Sequence, residues 1–390
     1  MEVGISGLRT SMAGWFGNCL LERYGVGACV TIRRDPVQTA TGSKYFLLDY
    51  PKSKRVVTRM DRRRFLAVGA VVPVVAGTVG ISGDLFAVET YTSIAEAGDL
   101  YRLQGEYLGV VESLDGTWGA QVIATGEKAL EVHLLKGGLP GDGFKSKEPT
   151  RVCKVERLES ALAKGQGSDL SVSLDGKTLT VTNAEGKKLG ELTKVVRESK
   201  TLGLEPPKGA MVLFDGTTAD RFEGGKMVEQ KYLGVGCKSK DTFGDHRLHL
   251  EFRTPFQPSD SGQGRGNSGV YIQGRYELQV LDSFGLRGEN NECGGIYQIA
   301  SPSLNMCYPP LSWQTYDIDF KSAKYGADGK KTSNARVTIR HNGVVIHDDL
   351  EFPMGTPGGV GDEAPQGGPL YLQDHSNPVV FRNIWVSKSE

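Results

Sequence analysis

One segment, residues 266–282, constrains the fold of this chain most, because its second half alternates between apolar and polar residues. Successive side chains of an extended strand point to opposite faces, so the segment predicts a β-strand with one apolar and one polar face. The apolar face carries Tyr276, Leu278 and Val280, and the polar face carries Arg275, Glu277 and Gln279. We expect the polar face to line a groove, where a carboxylate beside an arginine and an amide can hold and protonate a sugar. The alternative is a solvated outer face, since antiparallel sheets commonly leave one face wet.

The composition favours a turn-rich β protein and argues against one class of partner. The chain has 390 residues, enough for two domains with full cores, and 52 of them are glycine. Asp-Gly and Asn-Gly pairs recur between apolar runs, which is typical of β-hairpin turns. The 46 basic and 46 acidic residues balance, and no basic stripe is interleaved with aromatic residues, so we expect no nucleic-acid partner.

An export signal is predicted at residues 60–87. This segment opens with Met-Asp-Arg-Arg-Arg-Phe-Leu and continues as an apolar run that contains glycine, and the pair Arg62 and Arg63 fits a twin-arginine signal. The run falls short of the roughly 20 apolar residues that a membrane span needs, so we expect a periplasmic or secreted protein without a span in its mature chain. Residues 1–59 are expected to be an unstructured upstream stretch from a start codon assigned too early, with the physiological start at Met60.

Export to an oxidising compartment permits disulfides. Cys293 and Cys307 bracket an irregular loop with Gly-Gly and proline-containing turns, so we expect a disulfide between them, worth roughly 3 kcal/mol on the loop-entropy model. Cys153 and Cys237 fall in different predicted domains and are expected to be unpaired. No Cys-x-x-Cys spacing occurs, so the sequence predicts no zinc site.

Two β domains are predicted after the signal. Residues 99–198 form a small β domain with one short helical pattern at 155–164 and a lone histidine, His133, which is more typical of a core than of a site. Residues 199–209, with a Pro-Pro pair, form the predicted linker. Residues 210–390 carry about ten strands, which predicts an all-β, antiparallel, two-sheet jelly-roll sandwich. The predicted strands include 105–113, 119–123, 130–135, 170–174, 178–182, 189–196, 246–253, 268–273, 276–281, 314–320, 335–340, 344–348 and 379–386.

The spacing of three polar residues resembles, in part, the catalytic strand of jelly-roll glucanases. Glu277, Gln279 and Asp282 stand at offsets of zero, two and five, where the glucanases carry Glu, Asp and Glu because a bulge returns the last residue to the groove. Here the middle acid is an amide and the last acid is shorter by one methylene. A retaining double displacement on an ordinary glycoside is therefore not expected.

Stretches spread over residues 210–388 together resemble the 3-keto-disaccharide hydrolase domain, also called the 3-keto-glucoside lyase and hydratase domain. They are Leu213-Phe-Asp-Gly, Leu250-Glu-Phe-Arg, Gly266-Asn-Ser-Gly-Val-Tyr, Tyr276-Glu-Leu-Gln-Val-Leu-Asp-Ser, Cys293-Gly-Gly-Ile-Tyr, Trp313-Gln-Thr-Tyr-Asp-Ile, Leu372-Gln-Asp-His and Phe381-Arg-Asn-Ile. The resemblance implies a concanavalin-like sandwich that binds sugar on its concave face and acts on glycosides oxidised to a ketone at carbon three. The smaller β domain is similar to an extension that precedes this domain in some exported members.

The resemblance also implies a set of site residues, without distinguishing base from acid. They are Glu251, Asn267, Glu277, Gln279, Asp282, Tyr297, Gln373, Asp374 and His375. A glycine-rich insert at 355–361 precedes the last three, and we expect it to reshape one rim of the groove and so to affect substrate choice.

The implied substrate suggests a mechanism. A ketone at carbon three acidifies the hydrogen on carbon two, so a modest base can remove it while an acid protonates the departing oxygen on carbon one. This β-elimination needs no oxocarbenium ion, and water can then add to give net hydrolysis. We expect Glu277, His375 and Asp282 to be catalytic, with Glu277 the first choice for proton transfer and His375 its partner near neutral pH.

Further residues are expected to hold the substrate. Arg275 and Gln279 share the face of Glu277 and are expected to bind hydroxyls or the enolate oxygen. Tyr297 and Trp313 are either stacking platforms for a pyranose ring or core residues.

A second polar row, formed by His249, Glu251 and Arg253, is either part of the groove or a surface ladder. Glu251, Glu277 and His375 could together hold a divalent cation that stabilises the enolate, although the sequence establishes no cofactor. Two other functions compete with the 3-keto-glycoside activity: a lectin-like protein that binds carbohydrate without catalysis, and a conventional endoglucanase, which the amide at Gln279 disfavours.

Overall fold

The computed structural model describes residues 89–111, 114–157, 163–167 and 169–388, together with the backbone of three short strands nearer the amino terminus. The chain divides into two compact units, 1–82 and 83–390, and each is described by itself. The predicted export signal at 60–87 lies outside the described residues.

Three antiparallel strands lie in the first unit, where the sequence predicted an unstructured stretch. They are β1 (Val37–Gln38), β2 (Lys44–Asp49) and β3 (Arg55–Thr58), in the order β1-β2-β3. These three segments pair through backbone hydrogen bonds, and the expectation for residues 1–59 as a whole stays a prediction.

The second unit begins with a closed antiparallel barrel of eight strands, preceded by the helix α1 (Gly98–Leu103). The barrel strands follow the order β10-β11-β12-β13-β4-β5-β6-β9, and closure leaves no unpaired edge. They are β4 (Gly105–Val110), β5 (Thr117–Ala124), β6 (Ala129–Lys136), β9 (Arg151–Arg157), β10 (Ala163–Gln166), β11 (Leu170–Leu174), β12 (Thr178–Asn183) and β13 (Lys188–Val195). A small parallel pair, β7 (Leu139–Pro140) and β8 (Gly143–Phe144), lies between β6 and β9.

The helix predicted at 155–164 is wrong. Its first residues belong to β9 and its last to β10, and these two strands pair with each other and close the barrel against β6 and β11. The helical pattern is short, and the backbone hydrogen bonds that β9 and β10 make with each other and with β6 and β11 outweigh a weak local preference. The other barrel strands overlap the predicted strand positions, and the apolar interior of the barrel includes Val122, Val132 and Leu192.

The remainder of the chain forms the predicted all-β sandwich of two antiparallel sheets. The eight-stranded sheet has the order β16-β17-β28-β19-β22-β25-β26, with β14 also paired to β28, and the five-stranded sheet has the order β15-β18-β27-β20-β21. The eight strands are β14 (Met211–Phe214), β16 (Met227–Val228), β17 (Tyr232–Gly234), β19 (His246–Arg253), β22 (Gln314–Lys321), β25 (Ala335–His341), β26 (Val344–Phe352) and β28 (Val380–Lys388). The five are β15 (Phe222–Glu223), β18 (Cys237–Phe243), β20 (Ser268–Ile272), β21 (Tyr276–Val280) and β27 (Gly368–Leu372). A separate hairpin joins β23 (Lys324–Tyr325) and β24 (Lys331–Ser333), and a 3-10 helix spans Gly262–Gly264.

Turn chemistry and strand alternation explain why these strands form where they do. Asn342 and Gly343 join β25 to β26, and both have positive φ (52° and 79°), as a two-residue type I′ hairpin requires. Inside the sandwich, alternate residues of β19 and β21 meet in one core, for example Leu250 on β19 and Leu278 on β21. The residues between them therefore point away from that core on the two outer faces of the sandwich.

The barrel and the sandwich are in direct contact within the second unit. The guanidinium of Arg265 donates to the carbonyl oxygen of Ala124 (2.7 Å), and Ile123 packs in the sandwich core. His133 Nδ1 lies 3.0 Å from the carbonyl oxygen of Gly285, so the lone histidine of the barrel is a contact residue between the two parts. No helix in the described part of the chain is long and apolar enough to cross a membrane.

Candidate active site

The outer face of the five-stranded sheet, which we call the polar face, carries a row of side chains across neighbouring strands. Glu277 on β21 is the register partner of Tyr271 on β20, and Tyr271 is the partner of Tyr371 on β27. Tyr371 is in turn the partner of Lys238 on β18. Directly opposed residues of antiparallel strands have neighbouring side chains, so the row is continuous across four strands.

The carboxylate of Glu277 is buried on this face in a gap that the sequence provides. Residue 269 on the adjacent strand is glycine, and a Cβ there would collide with Glu277 Oε1. Glu277 is 3% exposed, and this burial raises the pKa of its carboxyl group to about 7, against a smaller opposing effect of the nearby Tyr271 hydroxyl. A carboxyl group with this pKa can both accept and donate a proton near neutral pH.

Three amide oxygens on or beside the polar face are buried and have no hydrogen-bond partner among the described residues. They belong to Asn267, Gln279 and Gln373. The amide nitrogens are engaged: that of Gln279 donates to Gln263 Oε1 (3.1 Å), and that of Gln373 donates to the Tyr271 hydroxyl (3.2 Å). An unsatisfied buried acceptor costs about 1–3 kcal/mol, so the oxygens are suited to accept hydrogen bonds from a ligand that carries hydroxyl groups.

The polar face is closed at the β21 edge by two loop segments. Residues 294–297 bond to that edge, with Gln279 N donating to the carbonyl oxygen of Gly295 (2.9 Å) and Tyr297 N donating to that of Glu277 (3.4 Å). The glycine-rich insert lies beside the same edge, where Glu277 N donates to the Thr356 hydroxyl (2.8 Å). The insert then reaches the polar face, because the Tyr271 hydroxyl donates to the carbonyl oxygen of Pro357 (2.8 Å).

The Arg275 side chain holds the segment that follows the insert. Its guanidinium donates to the carbonyl oxygens of Ala364 (3.2 Å) and Gln366 (3.0 Å) and to Gln273 Oε1 (3.1 Å). The side chain shares the face of Glu277, as its place in the sequence predicted. Its hydrogen bonds nevertheless assign it to the wall of the site, while its role in binding hydroxyls stays a prediction.

Asp282 is engaged in a buried ion pair. Its Oδ2 lies 2.6 Å from Arg265 Nε, and its side chain has no exposed surface. Arg265 also bonds to the barrel, so the pair fixes the end of β21 against the neighbouring part of the molecule. Asp282 is therefore part of a structural ion pair, whereas its expected catalytic role requires a free carboxylate.

His375 and Asp374 lie in the loop that follows β27 and are both exposed. Asp374 Oδ1 accepts a hydrogen bond from the backbone N–H of Ser376 (2.8 Å), which stabilises the turn. Gln373, at the start of this loop, reaches the polar face as described above. His375 thus belongs to the rim of the face, and its role as the proton-transfer partner of Glu277 stays a prediction.

Glu251 lies on the opposite side of the sandwich, on the outer face of the eight-stranded sheet. Its carboxylate accepts hydrogen bonds from Arg382 Nε (2.6 Å), the backbone N–H of Gly203 (2.6 Å) and Asn383 Nδ2 (2.9 Å). Burial alone would raise the pKa of Glu251, but its bonds to His249 and these donors lower it to about 2. The segment predicted as a linker bonds to this face at Glu251 and Trp385, so His249 and Glu251 are buried and form neither a groove nor a surface ladder.

The same arrangement separates the residues proposed to hold a cation. Glu251 and Glu277 lie on opposite outer faces, with both sheets and the core between them, and His375 is exposed on a loop. Among the described residues, no group of three or more His, Cys, Asp or Glu side chains is arranged to hold a metal ion.

Trp313 is also remote from Glu277. Its ring packs against Tyr232 (5.0 Å between centroids) and under the guanidinium of Arg382 (4.0 Å), over the outer face of the eight-stranded sheet. It lines a cavity of about 660 Å³ between the barrel and the sandwich. Of the two aromatic residues proposed to stack on a sugar, only Tyr297 lies beside Glu277.

The predicted disulfide between Cys293 and Cys307 is not present in the structure. Both residues are buried free thiols, and Cys153 and Cys237 are free as well, as the sequence predicted. Cys293 Sγ lies 3.2 Å from the Tyr316 hydroxyl, and Cys307 Sγ faces the carbonyl oxygen of Tyr308 (3.5 Å). Hydrogen bonding and core packing therefore hold this loop, and the irregular sequence between the two cysteines did not reveal that packing.

Three residues of the polar face were missed by the sequence analysis: Gly269, Tyr271 and Tyr371. The alternation of β20 and β27 contains the signal, since Val270, Ile272 and Leu372 face the core and their neighbours must face outward. What the sequence lacks is the register that places Tyr271 beside Glu277.

The comparison with protein families gives the chain its identity. A sequence model described as the 3-keto-alpha-glucoside-1,2-lyase-like domain matches residues 169–387, which is more than half of the chain. The chain belongs to this family. The family is one of carbohydrate-active enzymes, and its domain here includes the last three barrel strands, β11 to β13, as well as the sandwich.

Solved structures give weaker similarities to this 3-keto-alpha-glucoside-1,2-lyase-like protein. A candidate glycosyl hydrolase from Parabacteroides distasonis is 31% identical, with a TM-score of 0.42, over 46% of this chain and 84% of that one. A second candidate glycosyl hydrolase from the same organism is 16% identical, with a TM-score of 0.35, over 47% of this chain and 95% of that one. Comparison with curated proteins gave no match.

Proposed function

We propose that this protein cleaves 3-keto-glycosides, with 3-keto-disaccharides as the substrate class, by removing the proton from carbon two and eliminating the group on carbon one. Addition of water to the eliminated product completes a net hydrolysis. The observation that supports this most is the buried carboxyl group of Glu277, whose pKa of about 7 suits a proton carrier at neutral pH.

The elimination needs only one proton carrier. Glu277 as carboxylate takes the proton from carbon two, and the electron pair of that C–H bond forms an enolate with the ketone at carbon three. The enolate then re-forms the ketone, a double bond forms between carbons one and two, and the bond from carbon one to the glycosidic oxygen breaks. The protonated Glu277 can return its proton to that oxygen, so the products are a 2-hydroxyglucal-type enone and a free alcohol.

The surroundings of Glu277 suit this reaction better than a reaction through an oxocarbenium ion. The neighbouring residues of the polar face are amides and tyrosines, and Asp282, the acid that a glucanase-like mechanism would use, is paired with Arg265. The three unpaired amide oxygens would accept hydrogen bonds from sugar hydroxyls. A lectin would not need a carboxyl group whose pKa burial raises to about 7. Catalysis is therefore the better supported of the two functions.

We also propose that the protein is exported by a twin-arginine signal at 60–87 and acts in the periplasm or outside the cell. The basis is the pair Arg62 and Arg63 followed by a weakly apolar run.

The proposed activity is tested by incubating the protein with 3-keto-glucosides of both anomers and with the unoxidised sugars. We expect a reaction with the oxidised substrates only. Its sign is either an ultraviolet absorbance typical of an enone or, once water has added to the enone, the formation of 3-keto-glucose. Cleavage of the unoxidised sugars at a similar rate would show that the ketone is not required and would overturn the proposal.

A further inference from the structure

The polar face is closed above Glu277. This residue is 3% exposed, and its neighbour Tyr271 is fully buried. Proton transfer requires carbon two of the substrate to come within about 3–3.5 Å of the carboxylate. A pyranose ring does not reach a carboxylate that is buried to this extent. A part of the cover therefore has to move before the proposed reaction can begin.

The glycine-rich insert forms the part of this cover that lies over Tyr271. The Tyr271 hydroxyl donates to the carbonyl oxygen of Pro357 (2.8 Å). A Cβ at Gly358 would lie 2.6 Å from the same hydroxyl oxygen and 3.6 Å from Gln373 Nε2, so the backbone of Gly358 lies directly over these groups. The insert thus covers the middle of the polar face, next to Glu277.

The insert is attached to the sandwich by hydrogen bonds and not by apolar packing. Residues 357–361 are all exposed, and none of residues 355–361 belongs to a hydrophobic core in the described part of the chain. Two backbone bonds tie the insert to the turn between β20 and β21: Thr356 N donates to Arg275 O (2.8 Å), and Val360 N donates to Gly274 O (2.8 Å). Segments with few buried apolar contacts open at a low cost in free energy.

Both flanks of the insert are anchored. Before it, Lys331 Nζ donates to the carbonyl oxygen of Pro353 (3.0 Å). After it, the carboxylate of Glu363 accepts hydrogen bonds from Lys331 Nζ (2.8 Å) and from the Tyr276 hydroxyl (2.6 Å). The backbone between these anchors can change conformation at low steric cost, because it contains several glycines. They are Gly355, Gly358, Gly359 and Gly361.

The wall formed by residues 294–297 is held more firmly than the insert. Gly294 N donates to Gln279 O (3.0 Å), and Gln279 N donates to Gly295 O (2.9 Å). Ile296 lies between these bonds and the sandwich core, where its side chain is fully buried. Displacing this wall would disrupt the core, so of the two segments at the β21 edge the insert is the one that can move.

We propose that residues 355–361 are a lid, which moves away from Tyr271 to admit the 3-keto-glycoside to Glu277 and closes over it during the elimination. This inference rests on the proposed function, and it adds the step that controls access to the site. Closure of the lid excludes bulk water while the enolate exists.

Hydrogen exchange tests the motion of the lid without any substrate. We expect the amides of Thr356 and Val360 to have protection factors at least about tenfold lower than those of Gln279 and Gly294, whose bonds hold the fixed wall. Mass spectrometry with residue resolution measures all four amides in the folded protein. Equal protection of the two pairs would overturn the lid.

A reversible lock tests whether this motion admits the substrate. A Cβ at Gly274 would lie 2.7 Å from Cγ2 of Val360. This distance suits a disulfide in the double variant Gly274→Cys and Val360→Cys, because each sulfur of a disulfide lies about 3 Å from the Cβ of the other cysteine. After oxidation, we expect kcat/KM on a 3-keto-glucoside to fall at least about tenfold and to return on reduction.

The two single-cysteine variants are the matched controls, and the oxidant should affect them no more than it affects the parent. Gly274→Cys also reports any cost of a side chain at this positive φ (67°). Equal turnover of the oxidised and reduced double variant, with the disulfide verified by mass spectrometry, would overturn the lid and leave the proposed function intact. If the disulfide does not form, the exchange measurement decides the lid. If the parent turns over no 3-keto-glycoside, the proposed function fails, and hydrogen exchange still decides whether the insert opens.

Discussion

The carboxylate of Glu277 occupies the space above Gly269 that a side chain at position 269 would fill. Gly269 has no positive φ, so its backbone would accept other residues. Its small size instead leaves room for the carboxylate of Glu277 on the neighbouring strand. The position of the carboxylate is therefore set by two residues on adjacent strands, one that carries the acid and one that leaves room for it.

Replacement of Gly269 by Ala should displace the Glu277 carboxylate. The added methyl group meets the flexible end of a side chain, so we expect the fold to survive and the rate on a 3-keto-glucoside to fall by at least about tenfold, part of the 100-fold or more that general acid-base catalysis contributes. Gly244→Ala is the matched control, since a Cβ there meets nothing within 4 Å. An active Gly269→Ala enzyme would mean that the carboxylate need not lie where the structure places it.

Removing the charge of Glu277 should make the protein more stable at alkaline pH. The pKa of Glu277 is raised from 4.5 to about 7, so folding favours the protonated form and this contribution to stability is lost as pH rises through 7. The shift corresponds to roughly 3 kcal/mol. Urea unfolding measures the free energy of unfolding of both proteins. Between pH 4 and pH 8.5, the stability of Glu277→Gln relative to the parent should rise by up to this amount. A difference that stays constant across that range would contradict the raised pKa.

Replacement of Glu251 by Ala should affect stability and leave turnover unchanged. The variant removes the buried carboxylate that bonds to the half-buried Arg382, while His249 keeps its bond to Asp317, so we expect a loss of about 3 kcal/mol in the free energy of unfolding. Because the pKa of Glu251 is lowered to about 2, its contribution is present above pH 4.5 and is lost as pH falls toward 2. The exposed Glu351, replaced by Ala, serves as control and should change stability by less than about 1 kcal/mol. A loss of turnover by folded Glu251→Ala would restore Glu251 to the active site.

The contrast between Glu251 and Glu277 shows what the sequence could predict and what it could not. Both acids stand in alternating strands with polar neighbours, and both strands lie where the alternation placed them. The sequence does not say which outer face the segment from Ser199 to Leu204 will cover, since that depends on contacts such as Thr201 to Asp317 (2.6 Å), made between residues 116 positions apart.

In the barrel, too, the sequence predicted some elements of secondary structure and missed others. Turns with two residues of positive φ, such as Asp115 and Gly116, were predictable because few other residues accept that backbone geometry. The strands β9 and β10 were not, because a short helical pattern covers part of both, and β9 pairs with β6, which β7 and β8 separate from it in the sequence. Register likewise decided which tyrosine lies beside Glu277.

Export can be tested separately from catalysis. Arg62→Lys and Arg63→Lys together preserve the charge of the predicted signal and remove the arginine pair that its receptor recognises. We expect the double variant, expressed from Met60, to accumulate inside the cell while the parent is exported and processed near residue 88. Fractionation followed by immunoblotting measures the distribution, and equal export of both proteins would remove the argument for this signal.

The central claim, that Glu277 carries the proton, is tested most directly by the initial rate of Glu277→Gln on a 3-keto-glucoside. The variant keeps the shape of the side chain and loses its titrating proton, so we predict a fall of at least about a hundredfold with substrate binding retained. Glu223→Gln, an exposed carboxylate on the same sheet, should keep the parent rate on the single-ring substrate. A Glu277→Gln enzyme that retains most of the parent rate would contradict the account and would make His375 the next residue to test.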